Sequence, residues 1–377
     1  MIPSLLNQLA AAALSVAQEH FAELQVLGAH RRRTLDRRPL QAGTRPLHSW
    51  EAFGAHPSAA LLDGSNGVGH SPAATAAWLR AAAGRDDLAT ARTSAQRYLA
   101  QAITHQGIPG VVPTVWPITR FEQAFALYFL LITGLLDHPG LQDIIQPQLD
   151  DLERAFRPTG IGMSDWFQPD GDDTACALAV LYAAGRRPPL TALDHFAQQG
   201  GASFCAYPGE LQSAVSVTAH ALHALALADP IRTLRMDALL DRQHSDGRWL
   251  GDKWNQSWLY TTSQALVTLN EAHRDAIGRA INAVLAYQHP DGGWGMHGST
   301  PEETAYGIIA LRAGLRYDGG IVRKALGRAI IWLREAHQLS NSSTPPVWMG
   351  KELYSPRRLV NIIILSVLVQ SEEGDIA

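Results

Sequence analysis

A threonine and a leucine seven residues apart recur four times from residue 174 onward. The pairs are Thr174 and Leu181, Thr218 and Leu225, Thr262 and Leu269, and Thr304 and Leu311, so the repeats start 44, 44 and 42 residues apart. A period of this length marks stacked supersecondary units rather than one irregular globule. Two further copies of one pattern fall between them, Gln243-His244-Ser245-Asp246-Gly247-Arg248-Trp249 and Gln288-His289-Pro290-Asp291-Gly292-Gly293-Trp294. The Asp-Gly steps signal turns, and stretches such as 215–227 and 305–315 are apolar with no internal proline. Each repeat therefore has room for two helices with short links. Units of this kind bury their faces against their neighbours, which predicts an all-α, α/α toroid or solenoid.

Residues 1–150 also read as mostly helical, with breaks at 54–57, 64–72, 107–117 and 138–140, but lack the Thr/Leu phase. They are expected to form a separate helical domain, with the repeat-bearing domain spanning 151–377. The chain of 377 residues is 46% hydrophobic and 18% charged, as expected for two folded cores rather than disorder. Net charge is −4, and the basic group Arg31, Arg32, Arg33, Arg37 and Arg38 reads as a solvated helix end, so no nucleic-acid partner is expected. Cys176 and Cys205 have neither metal-ligand spacing nor a disulfide framework, which fits a reducing cytoplasm. Residues 1–18 are apolar but begin without a basic stretch and include Asn7 and Gln8, unlike a signal peptide. The longest apolar run, around 362–369, falls well short of the roughly 20 residues of a membrane span. No integral membrane span is expected, although peripheral contact suits an enzyme with a greasy substrate.

The segment Gln168-Pro169-Asp170-Gly171-Asp172-Asp173-Thr174-Ala175 places three carboxylates in four positions just before the first repeat helix. Like charges this close raise at least one pKa, leaving an acid that keeps its proton at neutral pH and can donate it. The plain alternative is an Asp-rich turn and N-cap. A calcium loop is disfavoured because no further acidic ligands follow at regular spacing. His220 and His223, one helical turn apart, either bind a metal, face the interior and hold a water, or are satisfied core residues. No Ser/His/Asp arrangement, phosphate loop or dinucleotide fingerprint is evident.

Taken together, these residues resemble the class II terpene cyclases, in particular the bacterial diterpene cyclases related to squalene-hopene cyclases. Asp170-Gly171-Asp172-Asp173 matches that family's DxDD motif, and the two Gln-to-Trp segments resemble its QW motifs. The stretches Ser71-Pro72-Ala73-Ala74-Thr75-Ala76, Asp252-Lys253-Trp254-Asn255, Glu302-Glu303-Thr304-Ala305-Tyr306-Gly307 and Gly350-Lys351-Glu352-Leu353-Tyr354 also match. The likeness covers nearly the whole chain, except that family members usually carry a further N-terminal stretch before the part matching Ile2-Pro3-Ser4-Leu5-Leu6.

The resemblance implies two α/α domains, called γ and β, with an active site in the cleft between them, and Asp172 as general acid oriented by Asp170 and Asp173. It further implies an isoprenoid diphosphate substrate, geranylgeranyl diphosphate ahead of farnesyl diphosphate, cyclised to a bicycle with the diphosphate kept. Carbocations need walls that stabilise charge without attacking it, and aromatic faces do so by cation–π attraction of roughly 0.5–2 kcal/mol each. Trp166, Phe167, Trp254, Trp258, Tyr260, Tyr306 and Trp348 are the candidate aromatics, with His220 beside them. Trp249 and Trp294 are expected to be scaffold. Lys351, Arg357 and Arg358 are candidates for gripping the diphosphate together with Mg2+, and Lys253 is a weaker one. A downstream class I synthase is the implied partner, and a homo-oligomer is compatible with the sequence.

A class I terpene synthase is disfavoured because no Asn/Ser/Glu metal motif is present, and a zinc prenyltransferase because Leu259-Tyr260-Thr261 stands where its cysteine is needed. A toroidal binding scaffold is the alternative outside catalysis.

Overall fold

The computed structural model describes residues 2–36, 40–54, 56–106, 111–210, 213–231, 233–315, 319–338 and 345–372. It is built almost entirely of helices. The chain forms two compact units, Met1–Ile118 with Ser164–Gln168, and Thr119–Met163 with Pro169–Ala377.

Unit 1 contains helices α1 (Ile2–Ala11), α2 (Ala22–Asp36), α3 (Pro72–Ala81) and α4 (Ala89–Gln106). Its core gathers Leu47, Trp50, Leu61, Val68, Trp78, Leu88 and Ala95. The Ser71-Pro72 start of α3 is an N-cap followed by proline at the first helical position, where a missing N–H costs nothing. Ser71 Oγ accepts from the Ala74 N–H at 3.1 Å. Arg31, Arg32 and Arg33 lie in the last turns of α2, where Arg32 Nη2 donates to Phe53 O at 3.1 Å, whereas Arg37 and Arg38 lie outside the described residues.

Unit 1 also holds an arrangement that the sequence reading did not find. His70 Nδ1 lies 3.0 Å from Asp63 Oδ2, and His70 Nε2 lies 2.5 Å from Ser164 Oγ. All three residues are buried. Ser164 Oγ also accepts from the Trp166 N–H at 3.1 Å, and Gln168 N–H donates to Gly43 O at 2.7 Å. The Ser-His-Asp line thus fastens the returning segment 164–168 onto unit 1. Ser164 lies 94 residues beyond His70, which is why no spacing announced it.

Unit 2 contains α5 (Thr119–Ile132), α6 (Gln142–Ala155), α7 (Gly171–Ala183), α8 (Val215–Ala228), α9 (Asp237–Leu240), α10 (Trp258–Thr268), α11 (Arg274–Ala286), α12 (Pro301–Gly314), α13 (Gly319–Gln338) and α14 (Arg357–Glu372). Six of these pack in cyclic order: α5 on α7, α7 on α8, α8 on α10, α10 on α12, α12 on α14, and α14 back on α5. Helices α6, α11 and α13 lie outside this ring against its members. The difference is written in their sequences. Helices α7, α8, α10 and α12 are buried nearly all round, whereas α11 buries Ala276, Ile277, Ala280, Ile281 and Val284 on one side only. The unit is therefore an α/α ring, as the repeat predicts. The break does not coincide with the expected one at residue 150, because α5 completes the inner ring and α6 backs it. The apolar run 362–369 lies in α14, which buries Ile363, Ile364, Val367 and Leu368.

The recurrent threonines each clasp the backbone that precedes their helix. The Thr174 hydroxyl accepts from Ile161 N–H, Thr218 from Phe204, Thr262 from Trp249 and Thr304 from Trp294, all at 3.0–3.1 Å. The Gln-to-Trp turns join successive units. Gln243 Nε2 donates to Gly247 O and Ala276 O, and Gln288 Nε2 donates to Gly292 O and Ala325 O. Trp249 and Trp294 are fully buried, donating their indole N–H at 2.8 Å to Leu239 O and Val284 O. Gly247 and Gly292 adopt φ of +96° and +100°, and a Cβ on either would meet the backbone of the following outer helix.

Two short antiparallel hairpins complete unit 2, β1 (Ala197–Gln198) with β2 (Ser203–Phe204), and β3 (Trp348–Met349) with β4 (Leu353–Tyr354). Backbone bonds from Gln256 N–H to Val347 O and from Met349 N–H to Trp254 O dock β3 on the loop before α10. Trp348 is buried there at 2% exposure.

Candidate active site

The three aspartates stand at the N-terminus of α7. Asp170 is its N-cap, with Oδ1 accepting from the Asp172 and Asp173 N–H groups at 3.0 and 2.9 Å. The N-cap that the plain reading of the sequence offers is therefore Asp170. Burial pushes the Asp170 carboxyl up to about 7, against the N–H groups of Asp173 and Asp172 that favour its charge. Burial likewise holds Asp173 well above the ordinary carboxylate range, and the Asp170 charge and hydrogen bond push the same way.

Asp172 is set apart from them. Its Oδ1 lies 2.7 Å from His220 Nδ1 on α8, and its side chain retains 13% exposure beside a fully buried imidazole. His220 Nε2 lies 3.1 Å from Gln264 Oε1 on α10. Gln264 Nε2 donates to Ser263 Oγ, whose own proton goes to Tyr260 O, so the amide oxygen is the atom turned toward His220. An amide oxygen can only accept, so Nε2 carries a hydrogen. The other imidazole nitrogen then shares a proton with Asp172.

Aromatic side chains surround this pair. The His220 ring contacts Tyr128 at 4.9 Å and Phe125 at 5.7 Å, both from α5, and Tyr260 at 6.4 Å. Trp348 closes the circuit, 5.9 Å from Phe125 and 5.2 Å from Tyr260, and Tyr260 lies 5.2 Å from Tyr306. Burial raises the phenols of Tyr128, Tyr260 and Tyr306, which keeps them neutral. Phe121, Phe125 and Tyr128 were not among the sequence candidates, since α5 carries neither repeat nor motif.

His223 contacts Tyr128 instead, with Nδ1 3.0 Å from the phenol oxygen, and burial followed by the nearby His220 lowers it to about 4. Among the described residues, the metal-type cluster of three or more ligands is Asp172, Cys176 and His220, with ligand atoms within 4.8 Å of one another. It does not include His223. Burial raises the Cys176 thiol well above its usual value, and one carboxylate, one thiol and one imidazole do not make the all-oxygen set that magnesium asks for.

The remaining candidates scatter. Tyr260, Tyr306, Trp348 and His220 lie in one chain of ring contacts. Trp166 and Phe167 belong to unit 1, where the Trp166 ring covers Gly64 and Phe167 packs 5.0 Å from His70. Trp258 is a correction: it sits in an outer stack 5.3 Å from Tyr287, with the Arg248 guanidinium 5.3 Å over its ring. The half-exposed Tyr287 and the charge of Arg248 draw it toward solvent. Trp254 packs 6.4 Å from Tyr207 under the Lys253 ammonium, and Lys253 is itself paired with Glu210. Asp252 caps α8 through Ser216. Arg357 and Arg358 are exposed at the start of α14, with Arg358 3.4 Å from Glu122, and Lys351 lies just before β4.

Sequence reasoning gave no role to Glu302, the second residue of α12. It is 1% exposed, and its Oε1 accepts from Tyr306 Oη at 2.8 Å and from Trp348 Nε1 at 2.7 Å. Two adjacent glutamates opening an apolar helix were the available signal.

A closed α/α ring carrying a buried three-aspartate N-terminus and an aromatic interior defines the class, and the chain belongs to the class II terpene cyclase family, among its diterpene cyclases. A (+)-kolavenyl diphosphate synthase of Herpetosiphon aurantiacus is 44% identical over 371 residues, covering 96% of this chain and 70% of that protein. A copalyl diphosphate synthase of Streptomyces cyslabdanicus is 34% identical over 321 residues, covering 80% of this chain and 57% of that protein. The solved ent-copalyl diphosphate synthase from Streptomyces platensis matches with a TM-score of 0.76 at 31% identity, covering 92% of this chain and 68% of that one. The model of the squalene-hopene cyclase C-terminal domain matches residues 210–342. The chain thus spans between 57% and 70% of the length of these relatives.

Proposed function

We propose that this chain cyclises an all-trans prenyl diphosphate, geranylgeranyl diphosphate first, by protonating its terminal alkene from Asp172 and keeping the diphosphate. The observation that carries the reading is the separation of roles among the three aspartates. Asp170 caps α7 and both it and Asp173 are held above the ordinary carboxylate range by burial, while Asp172 alone links to His220 and retains exposure.

An alkene is a very weak base, so its protonation needs a strong acid in a dry site. With the Nε2 hydrogen held by Gln264, a protonated His220 donates from Nδ1 to Asp172 Oδ1 and leaves the carboxyl proton on the other oxygen. The His220 contact thus holds one carboxyl oxygen and leaves the other to present the proton. In the step itself the O–H bond of Asp172 breaks and the alkene π pair takes the proton, leaving a tertiary cation. The next π bonds attack in turn, each closing a ring bond. Tyr128, Phe125, Tyr260, Tyr306 and Trp348 supply the faces that stabilise the travelling charge.

The anionic head would lie against basic residues, with Lys351, Arg357 and Arg358 the candidates, and magnesium would enter with the diphosphate rather than in a protein-built cage. A product that keeps its diphosphate must be consumed by a reaction that ionises or hydrolyses it, the chemistry of a class I synthase acting next. Two buried free cysteines are in keeping with work in the cytoplasm, and among the described residues no helix is long and apolar enough to cross a membrane.

The test is to incubate the protein with geranylgeranyl diphosphate and, separately, farnesyl diphosphate plus magnesium, then dephosphorylate and analyse by gas chromatography with mass detection. A cyclic alcohol seen only after dephosphorylation supports the reading and fixes the chain length. Hydrocarbon released without dephosphorylation would point to ionisation instead, and no product from folded protein would favour a binding scaffold.

A further inference from the structure

A cyclisation that begins by gaining a proton ends by losing one, so the site needs a base as well as an acid. We propose that Glu302 is that base, taking the final proton on Oε2 while Tyr306 and Trp348 hold the carboxylate through Oε1; this rests on the reading of the chain as a protonation-initiated cyclase.

The first argument is geometric. Both donors bond one oxygen, Oε1, and Oε2 is buried without a hydrogen-bond partner. Native folds rarely leave a buried polar atom unpaired, because the desolvation cost is about 1–3 kcal/mol and more for a charged group. An oxygen kept bare at that cost is accounted for by something that meets it during the reaction. The adjacent Glu303 shows the contrast. Its Oε1 accepts from Ser257 Oγ and its Oε2 from Thr300 Oγ1 and the Met296 N–H, so every oxygen has structural work at the start of α12.

The second argument is placement. Trp348 and Tyr306, which hold Glu302, are both ring neighbours of Tyr260, and Tyr260 and Trp348 connect through His220 and Phe125 to the acid. A carbocation travelling over these faces passes from the carboxyl that starts it toward the carboxylate that can end it. Burial, together with the neighbouring Glu303, lifts Glu302 to about 7, against the Tyr306 and Trp348 donors, so near neutrality a substantial share is ionised and able to accept.

The step balances. A C–H bond beside the cationic carbon breaks, its electron pair becomes the ring or exocyclic C=C, and the proton forms an O–H bond at Oε2. Water then removes that proton and restores the carboxylate.

Glu302→Gln keeps an oxygen for Tyr306 and Trp348 but cannot accept the proton. With geranylgeranyl diphosphate in D2O, it is expected to lose about 100-fold in kcat and to divert product toward a water-captured cyclic alcohol diphosphate or a different alkene isomer. It should still incorporate solvent deuterium at the initiating carbon. Glu302→Asp retains a base and should give the wild-type alkene more slowly, with a larger water-captured share. Glu303→Gln should lower thermal stability and leave product identity unchanged. A Glu302→Gln enzyme with the wild-type product ratio and a rate within twofold overturns the proposal, and if that variant loses its helical circular dichroism, an unchanged ratio in Glu302→Asp does so. If the wild type forms no cyclic diphosphate at all, the cyclase reading fails first and the base falls with it.

Discussion

His220 Nδ1 lies 2.7 Å from Asp172 Oδ1, across 48 residues of sequence, with its other nitrogen anchored on Gln264 of the next inner helix. One imidazole therefore joins α7, α8 and α10 at the point where the acid is needed. Asp172→Asn removes the transferable proton and is expected to lower kcat by at least about 10³-fold, while circular dichroism and Tm stay close to wild type. Turnover within tenfold of wild type would move the acid to another residue.

His220→Phe keeps the packing against Tyr128 and Phe125 but removes both polar contacts. It should lower kcat by about 10²-fold with little change in KM, because the imidazole positions the acid rather than binding the substrate. His223→Phe, which touches only Tyr128 among these groups, should cost much less. Steady-state kinetics on the two variants side by side make the comparison.

The turns between repeats make a stability prediction. Gly247→Ala would place a Cβ 2.2 Å from Arg279 O at φ +96°, and Gly292→Ala a Cβ 2.8 Å from Arg328 O at φ +100°. Both should lower Tm through strain of about 1–3 kcal/mol, with Gly247→Ala the more damaging because the tighter contact is with fixed backbone. Thermal melts that order the pair the other way would contradict this account of the turns.

Ser164→Ala leaves His70 Nε2 without its partner in a buried site and should cost about 1–3 kcal/mol without changing the cyclised product. Denaturant titration reads the first effect and product analysis the second. A variant as stable as wild type would mean that the Ser164, His70 and Asp63 line does not fasten segment 164–168.

Stability should also depend on pH through Glu302. Its carboxyl titrates near 4.5 when unfolded and near 7 in the fold, so between those values the folded chain binds more protons than the unfolded one. That contribution is complete below about pH 4.5 and is lost as pH rises through 7. Asp170, also raised to about 7, acts in the same direction. Tm measured from pH 4.5 to 8 should fall more steeply for wild type than for Glu302→Gln, and parallel curves would show that Glu302 does not titrate in this window.

Much of this was legible in sequence because it is periodic or contiguous. The Thr/Leu spacing announced the inner helices, since each threonine performs the same backbone clasp. The Gln-to-Trp turns announced the joints, and Asp170 to Asp173 announced the carboxylate cluster that opens α7. What periodicity cannot show is which distant segments complete a ring. Helix α5 lies outside the repeat phase, yet supplies Phe121, Phe125 and Tyr128 and closes the ring against α14. Trp258 was misplaced for the complementary reason: an aromatic at a helix start has two directions to face, and Arg248 and Tyr287 decide it. Glu302 stood in a recognised stretch, but the bonds that fix one of its oxygens and leave the other bare come from Trp348, 46 residues away, and Tyr306.

The measurement that tests the central claim most directly is turnover of geranylgeranyl diphosphate in D2O, followed by dephosphorylation and mass analysis. Protonation from Asp172, which exchanges with solvent, predicts a cyclic product one mass unit heavier, with the label on the terminal ring carbon that accepted the proton, and no such product from Asp172→Asn. A cyclic product without deuterium, or one formed equally well by Asp172→Asn, would contradict the account.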